Sequence, residues 1–296
     1  MKISNIALLG RANVGKSTLM NALIGEKVAI VSNKPQTTRG RITGIYTDSE
    51  RQIVFYDTPG LHEPKSKLGG HMIKAATGTL DDVDAVLLVV ECRKPGKTEI
   101  QLCERLRTMD IPTVLVINKV DLIEKDLILK VISDYSSIMD FKTIIPISAK
   151  TGDGVSLVFD ELKKFGEEGE PLFPDDIATT MTMRELTSEL IREKFLRNLR
   201  DEIPHGIAVE IVDFKETETK YGEPISEIAA DIICERSAHK AIIIGKNGEM
   251  LKNSVTAART ELEDMFGQKV FLKCFVKVRE NWRDDENMLK DLGFSE

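Results

Sequence analysis

The stretch Gly10-Arg11-Ala12-Asn13-Val14-Gly15-Lys16-Ser17 decides the reading of this chain of 296 residues. It fits the pattern GxxxxGK[ST]. An apolar run from Ile3 to Leu9 leads into it, and a helical pattern from Ser17 to Ile24, ending at Gly25, leads out. Strand, glycine-rich turn and helix N-terminus in that order make a cradle for phosphate. Glycine lets the backbone wrap closely round the anion, and successive N–H groups turn inward. The helix dipole adds a favourable field. Residues 10–18, closing with Thr18, are therefore the candidate phosphate-binding segment. Lys16 is suited to the β- and γ-phosphates of a nucleotide and the Ser17 hydroxyl to Mg²⁺.

Working outward, four short runs rich in Val, Ile and Leu follow: Ile53 to Tyr56, Ala85 to Val90, Thr113 to Ile117 and Thr143 to Ile147. Helix-length segments separate them. That alternation predicts an α/β unit whose mostly parallel sheet is covered on both faces. Three of the runs end in polar residues that add chemistry. Asp57-Thr-Pro-Gly60 follows the first; the Asp can hold Mg²⁺ through water, and the Gly60 N–H can sense a γ-phosphate. Asn118-Lys119-Val120-Asp121 follows the third. The Asp121 carboxylate can accept two hydrogen bonds from guanine, from N1–H and the exocyclic amino group, and adenine offers no such pair. Asn118 is expected at the purine edge and the Lys119 stem over the ring face. Ser148-Ala149-Lys150 follows the fourth run, where backbone N–H groups can reach guanine O6. Ligands of open α/β sheets bind at these carboxyl ends of strands.

With those four motifs in order, the first half resembles the GTPase superfamily that includes Ras and the translation factors. The resemblance implies that a threonine of Thr37-Thr38-Arg39 closes over Mg²⁺ in the GTP state, and Thr38 is favoured. Lys16, Thr38 and Gly60 become the candidate catalytic residues, and Ser17, Thr38 and Asp57 the candidate Mg²⁺ ligands. Position 61 departs from Ras-like members, which carry a water-orienting Gln there. Leu61 cannot hydrogen-bond water, so turnover is expected to be slow unless another group positions the water. In some related GTPases an Asn at the place of Asn13 helps hold K⁺. Asn13 either does so here or only accommodates an unusual backbone angle.

The run Gly166-Glu-Glu-Gly-Glu-Pro-Leu-Phe-Pro174 breaks the alternation, and the domain boundary is expected there, with residues 1–170 and 171–296 on either side. Beyond it Met183, Leu186, Leu190 and Ile191 recur on one helical face. Strand patterns at Ile207 to Val212 and Ile225 to Cys234 follow, then a short helix from Ala238 to Ile244. The turn Gly245-Lys246-Asn247-Gly248 comes next. Leu251, Val255, Ala258, Leu262 and Met265 then keep helical spacing. Lys269 to Val278 alternates strictly, with Lys269, Phe271, Lys273, Phe275 and Lys277 on one face. Packing against the C-terminal tail is the favoured role for that face, RNA contact the other.

A GxxG turn between two helices is where a KH domain clamps about four nucleotides of single-stranded RNA. Charge supports that reading. The chain carries a net −7, yet Arg236 to Arg283 holds ten Lys and Arg against five Asp and Glu. Ile244, Gly245, Lys246, Asn247, Gly248 and Lys252 are the candidate RNA-binding residues.

Composition excludes other classes. Hydrophobic residues at 42% and charged residues at 30% fit a folded globular chain rather than a disordered one. The longest apolar run has six residues, where a spanning helix needs roughly twenty. No signal-peptide pattern follows Met1, so a cytoplasmic location is expected. Four scattered cysteines with no CxxC pair read as buried reduced thiols.

The two halves together resemble the Era family of bacterial ribosome-assembly GTPases. The similarity lies in Gly10 to Ser17, Pro35-Gln-Thr-Thr-Arg39, Asp57-Thr-Pro-Gly-Leu-His62, Asn118 to Asp121, Ala241 to Gly248 and Asn281-Trp-Arg283. Ala12 and Asn247 depart from the common proline and glycine without removing a needed group. The resemblance implies an α/β P-loop GTPase domain followed by an α+β type II KH domain. It implies Mg²⁺ as cofactor with K⁺ as a second candidate ion, GTP as substrate, and a monomer that is cytoplasmic or loosely held at the inner membrane. It also implies binding to the 3′ end of small-subunit ribosomal RNA during 30S subunit assembly. Two rival readings stand beside it. One is a small-molecule kinase with a structural second half, which the guanine reader opposes. The other is an RNA-binding module with a non-hydrolysing GTP site, which Leu61 favours.

Overall fold

From Lys2 to Leu162, buried apolar strands alternate with helices in a computed structural model. It describes residues 1–294 except 33, 35, 61–65, 79, 81 and 200–202. The order is β1 (Lys2–Leu9), α1 (Lys16–Ile24), β2 (Ile42–Thr47), β3 (Arg51–Asp57), α2 (Lys67–Gly78), β4 (Ala85–Glu91), α3 (Lys97–Thr108), β5 (Thr113–Asn118), α4 (Lys125–Ser136), β6 (Thr143–Pro146) and α5 (Val155–Leu162). The sheet order is β2-β3-β1-β4-β5-β6. All neighbours on that path pair in parallel except β2 with β3. The central strands are continuous apolar runs because helices cover both faces. Leu88, Val90, Leu115 and Ile117 pack with Leu102, Cys103 and Leu106 of α3 and with Val131 and Tyr135 of α4. This packing brings the carboxyl ends of β1, β3, β4, β5 and β6 to one edge.

β2 has no counterpart in the hydropathy pattern. Its sequence, Ile-Thr-Gly-Ile-Tyr-Thr, mixes polar residues with a glycine and shows no long apolar run. It exists through pairing with β3, from Ile42 opposite Asp57 to Thr47 opposite Gln52.

The boundary expected after residue 170 falls later. Two compact units are present, one of residues 1–31, 38–65 and 69–180, the other of residues 32–37, 66–68 and 181–296. Residues 167–180 are held by the first unit in spite of their Gly and Pro. β7 (Glu167–Glu168) pairs antiparallel with β1. The Gln52 side chain accepts from the N–H groups of Leu172 and Phe173 and donates to the Phe173 carbonyl. Ile45 N–H donates to the Ala178 carbonyl, and Thr179 Oγ1 donates to the Thr43 carbonyl. Charge and glycine content mimic a linker; a buried glutamine and an edge strand turn it into a strap.

The second unit runs α6 (Met183–Asn198), β8 (Ala208–Glu218), β9 (Pro224–Cys234), α7 (Ser237–Ile244), α8 (Glu249–Phe266), β10 (Lys269–Val278) and α9 (Glu286–Asp291). Its sheet order is β10-β9-β8, with β9 and β10 parallel and β8 and β9 antiparallel. Thr182 caps α6, its Oγ1 accepting from the Glu185 N–H while the Glu185 carboxylate accepts from the Thr182 N–H. As the first helical residue, Met183 is exposed rather than on the apolar face expected of it. Leu190, Ile191 and Phe195 of α6 and Ala258 and Leu262 of α8 form one core with Val270, Leu272 and Val276.

The opposite face of β10 corrects an expectation. Phe271 and Phe275 remain 47% and 58% exposed, so the C-terminal tail does not cover them. The tail is anchored elsewhere. Trp282 is fully buried, its indole N–H donating to the Gly206 carbonyl at 3.1 Å and its ring lying beside Phe294. Cys92, Cys103 and Cys234 are buried and Cys274 is partly so. Burial pushes the Cys103 thiol up to about 11 and that of Cys274 to about 12, which keeps both neutral and unreactive. Among the described residues no helix is long and apolar enough to cross a membrane.

Candidate functional site

The turn after β1 is shaped by close backbone approach. Gly15 has φ +100°, and a Cβ there would lie 2.2 Å from Asn118 Nδ2. A Cβ on Gly60 would lie 2.5 Å from the Ala12 backbone, so the loop after β3 rests directly on the phosphate-binding turn. Asn13 takes φ +65°, consistent with a residue chosen for its tolerance of the left-handed region. Val14 is buried under the turn.

Four polar side chains converge beside it. Lys16 is buried, and its ammonium donates to the carbonyls of Gly10 at 3.2 Å and Arg11 at 3.0 Å. Burial lowers its pKa, and the Asp57 charge opposes that shift. Ser17 Oγ donates to Asp57 Oδ2 at 2.5 Å and lies 3.1 Å from Thr38 Oγ1. Thr38 Oγ1 reaches the same Asp57 oxygen at 3.3 Å. The Asp57 carboxyl is fully buried, and burial raises its pKa against the pull of Lys16, Ser17 and Thr38. Its Oδ1 has no hydrogen-bond partner among the described residues. A buried carboxylate oxygen left unpaired is costly. Two hydroxyls and that oxygen make a hard, all-oxygen donor set, which fits Mg²⁺ rather than a softer ion. Gly60 lies at the edge of this group through its contact with Ala12; Leu61 lies outside the described residues.

The next two motifs meet the same turn. Asn118 is buried, and its amide is largely committed to the protein. Nδ2 donates to the Val14 carbonyl at 2.8 Å, and Oδ1 accepts from the N–H groups of Lys119 and Ala149 at 2.8 and 2.9 Å. Asn118 therefore ties three loops together through Oδ1 and one amide N–H, which leaves its second N–H for the purine edge, while the Ala149 N–H donates to Asn118. Ser148 is buried, and Lys150 is exposed beside it. Lys119 takes φ +66° and sends its ammonium to the Asn13 carbonyl at 2.7 Å, which leaves its stem extended along the turn. Asp121 is exposed in the short 3₁₀ turn Val120–Leu122, and among the described residues nothing competes for its carboxylate.

Two acids that the motifs do not contain support the site. Glu91, at the carboxyl end of β4, pairs with the Lys119 ammonium at 2.5 Å. Glu99 is buried at the start of α3, accepts from the Gly96 N–H and faces Arg11 at 3.7 Å. The only sequence signal for Glu91 is an acid ending an otherwise apolar strand.

In the second unit, the turn between α7 and α8 has Gly245, Asn247 and Gly248 at φ +75°, +52° and +77°. A cleft of about 360 Å³ opens beside it, lined by Asn198, Ile242, Gly245, Lys246, Glu249, Met250 and Asn253. Of the residues expected to bind RNA, Gly245 and Lys246 line it. Ile244 instead packs against the core, and Ile242 takes the place expected of it. Asn247, Gly248 and Lys252 stand outside the lining. Asn198, Glu249 and Asn253 are the lining residues that the motif did not indicate.

Comparison with known proteins extends the geometry. Residues 5–119 match the family model described as 50S ribosome-binding GTPase, and residues 202–283 match that of the KH domain. GTPase Era of Ruminiclostridium cellulolyticum is 47% identical over 290 residues, spanning 98% of this chain and 96% of that protein. GTPase Era of Geobacter metallireducens is 48% identical over 291 residues, spanning 98% and 97%. A crystal structure of Era in complex with MgGDPNP and nucleotides 1506–1542 of 16S ribosomal RNA superposes with a TM-score of 0.95 at 35% identity, over 100% of both chains. Aquifex aeolicus Era, in a variant bound to GDP and aluminium fluoride, gives 0.94 at 35% identity, again over 100% of both.

Proposed function

This chain belongs to the Era GTPase family, and on that premise we propose a GTP-hydrolysing switch that binds the single-stranded 3′ end of small-subunit ribosomal RNA. Its working context is assembly of the 30S subunit. The observation that carries the nucleotide half is the convergence of Lys16, Ser17, Thr38 and the unpaired Asp57 oxygen on one buried point beside the phosphate cradle. The relative solved with 16S ribosomal RNA supports the RNA half.

The turn 10–18 wraps the phosphates with its N–H groups, and the α1 N-terminus faces them. Lys16 exchanges the carbonyls of Gly10 and Arg11 for phosphate oxygens, so its charge is compensated in both states. Ser17, Thr38 and Asp57 would hold Mg²⁺, which when bound would neutralise charge on the phosphate oxygens. Asp121 accepts from guanine N1–H and N2–H, and Lys119 covers the base. Water attacks the γ-phosphorus, the bond to the β-γ bridging oxygen breaks, and GDP and inorganic phosphate leave. Thr38 and Gly60 then lose what ordered their loops. Asn13 is the residue suited to a K⁺ beside the phosphates. The protein acts as a monomer, either cytoplasmic or loosely held at the inner membrane.

The test is a thermodynamic cycle. GTP and RNA affinities are measured alone and together, with hydrolysis followed in K⁺ and in Na⁺. Linkage requires that RNA change GTP affinity by the same factor that GTP changes RNA affinity. A shared factor above about fivefold and repeated turnover support the switch. Factors of one in both directions, or bound GTP without turnover, overturn it. Equal rates in K⁺ and Na⁺ remove Asn13 from any role with the ion.

A further inference from the structure

The cleft beside Gly245 has an uneven chemistry. Lys246 supplies its positive charge. The rest is apolar (Ile242, Met250), amide (Asn198, Asn253) or acidic (Glu249). A phosphate beside Glu249 would meet a like charge, whereas the flat face and polar edge of a nucleobase meet apolar and amide surface. The cleft is therefore built for a base, with the backbone left to the glycine turn and Lys246.

Asn198 is the one lining residue drawn from α6, far from the turn in sequence. Its amide is held in place. Nδ2 donates to Ser254 Oγ at 3.0 Å, and Ser254 is fully buried in α8. The Ser254 hydroxyl donates in turn to the Met250 sulfur at 4.0 Å, so its oxygen is the acceptor for Asn198. That chain fixes which end of the amide meets Ser254. One N–H is committed, and Oδ1 with the second N–H remain for the cleft.

We infer that Asn198 is a specificity-determining residue for RNA, reading the edge of one base in this cleft together with Glu249. The inference rests on the RNA-binding reading above. Between them Asn198 and Glu249 present three acceptor oxygens against the one N–H that Asn198 keeps for the cleft, while the Asn253 amide offers both kinds of group and the Lys246 ammonium is left to the phosphates. Such a wall favours a base with an exocyclic amino group and disfavours uracil, whose edge carries two carbonyl oxygens. Asn pairing with adenine and Glu accepting from the cytosine amino group are the corresponding side-chain readings. In single-stranded RNA the same edges are open to the protein.

The experiment uses the full-length protein and a pool of short single-stranded RNAs randomised at every position. The best binders are then remade with uracil at each site in turn. The expected wild-type result is one position where an amino-bearing base exceeds uracil by about tenfold. Asn198→Ala brings that ratio to within about twofold and leaves the salt dependence of binding unchanged, because no phosphate contact is lost. Asn198→Asp keeps the acceptor and keeps the preference; Glu249→Gln, tested independently, weakens it. An Asn198→Ala protein that retains the tenfold ratio, or that loses salt dependence, overturns the assignment. Wild-type protein that binds no RNA overturns the parent reading and this one with it.

Discussion

The two clefts of this molecule solve recognition in opposite ways. Around the phosphate cradle, the working groups are buried and pinned: Lys16, Ser148, Asn118 and Asp57 are almost wholly out of solvent. Beside Gly245, the lining residues Asn198, Glu249 and Asn253 are exposed on two helices. Phosphate and Mg²⁺ demand a closely wrapped backbone and fixed oxygens, which short runs of adjacent residues supply. A base edge needs only two or three side chains at the right height, and these can come from distant segments. Burial is concentrated where charge must be compensated, and exposure where sequence is read.

The contrast breaks most sharply at Asp57. Asp57→Asn removes the carboxylate charge and exchanges one of its oxygens for an amide NH₂, and GTP hydrolysis in saturating Mg²⁺ is expected to fall by about a hundredfold or more, read as single-turnover phosphate release. The same change relieves a buried charge. Because the folded chain holds this proton more tightly than the unfolded one, the group's contribution to stability is full below the unfolded carboxyl pKa. It is lost as pH rises through the raised folded value. Nucleotide-free Asp57→Asn should therefore melt higher than wild type at neutral pH. A lower melting point would show that the carboxylate stabilises the empty site.

A smaller effect is expected at Glu91, which is partly exposed. Glu91→Gln leaves Lys119 held by the Asn13 carbonyl alone. GDP release in a stopped-flow displacement should quicken by up to about fivefold, in line with a partly screened ion pair. An unchanged rate would remove Glu91 from the site. The smallest effect belongs to Lys246. Lys246→Ala should reduce the slope of log affinity for RNA against log salt by about 0.7. If that substitution altered base preference instead of the slope, the division between backbone and base contacts in the cleft would be wrong.

How much of this was legible in the sequence follows the same division. The cradle, the strand ends and the GxxG turn were readable because each is a local pattern with a local physical cause. Asn118 has a second task that its motif does not reveal, since its amide ties Val14 to Ala149. β2 was missed because its strand character comes from β3, not from its own residues. The strap 167–180 resembled a linker because Gln52, which holds it, lies over a hundred residues away. Glu91 and Asn198 had no motif at all; only tertiary packing brings them to their sites.

The central claim is that Asp121 selects guanine in the first cleft, and calorimetric titration with GTP, ATP and xanthosine triphosphate tests it most directly. Wild-type protein should bind GTP at least about a hundredfold more tightly than ATP, and Asp121→Asn should exchange that preference for the xanthosine nucleotide. Equal binding of GTP and ATP by the wild type, or an Asp121→Asn protein that still prefers GTP, would contradict the account.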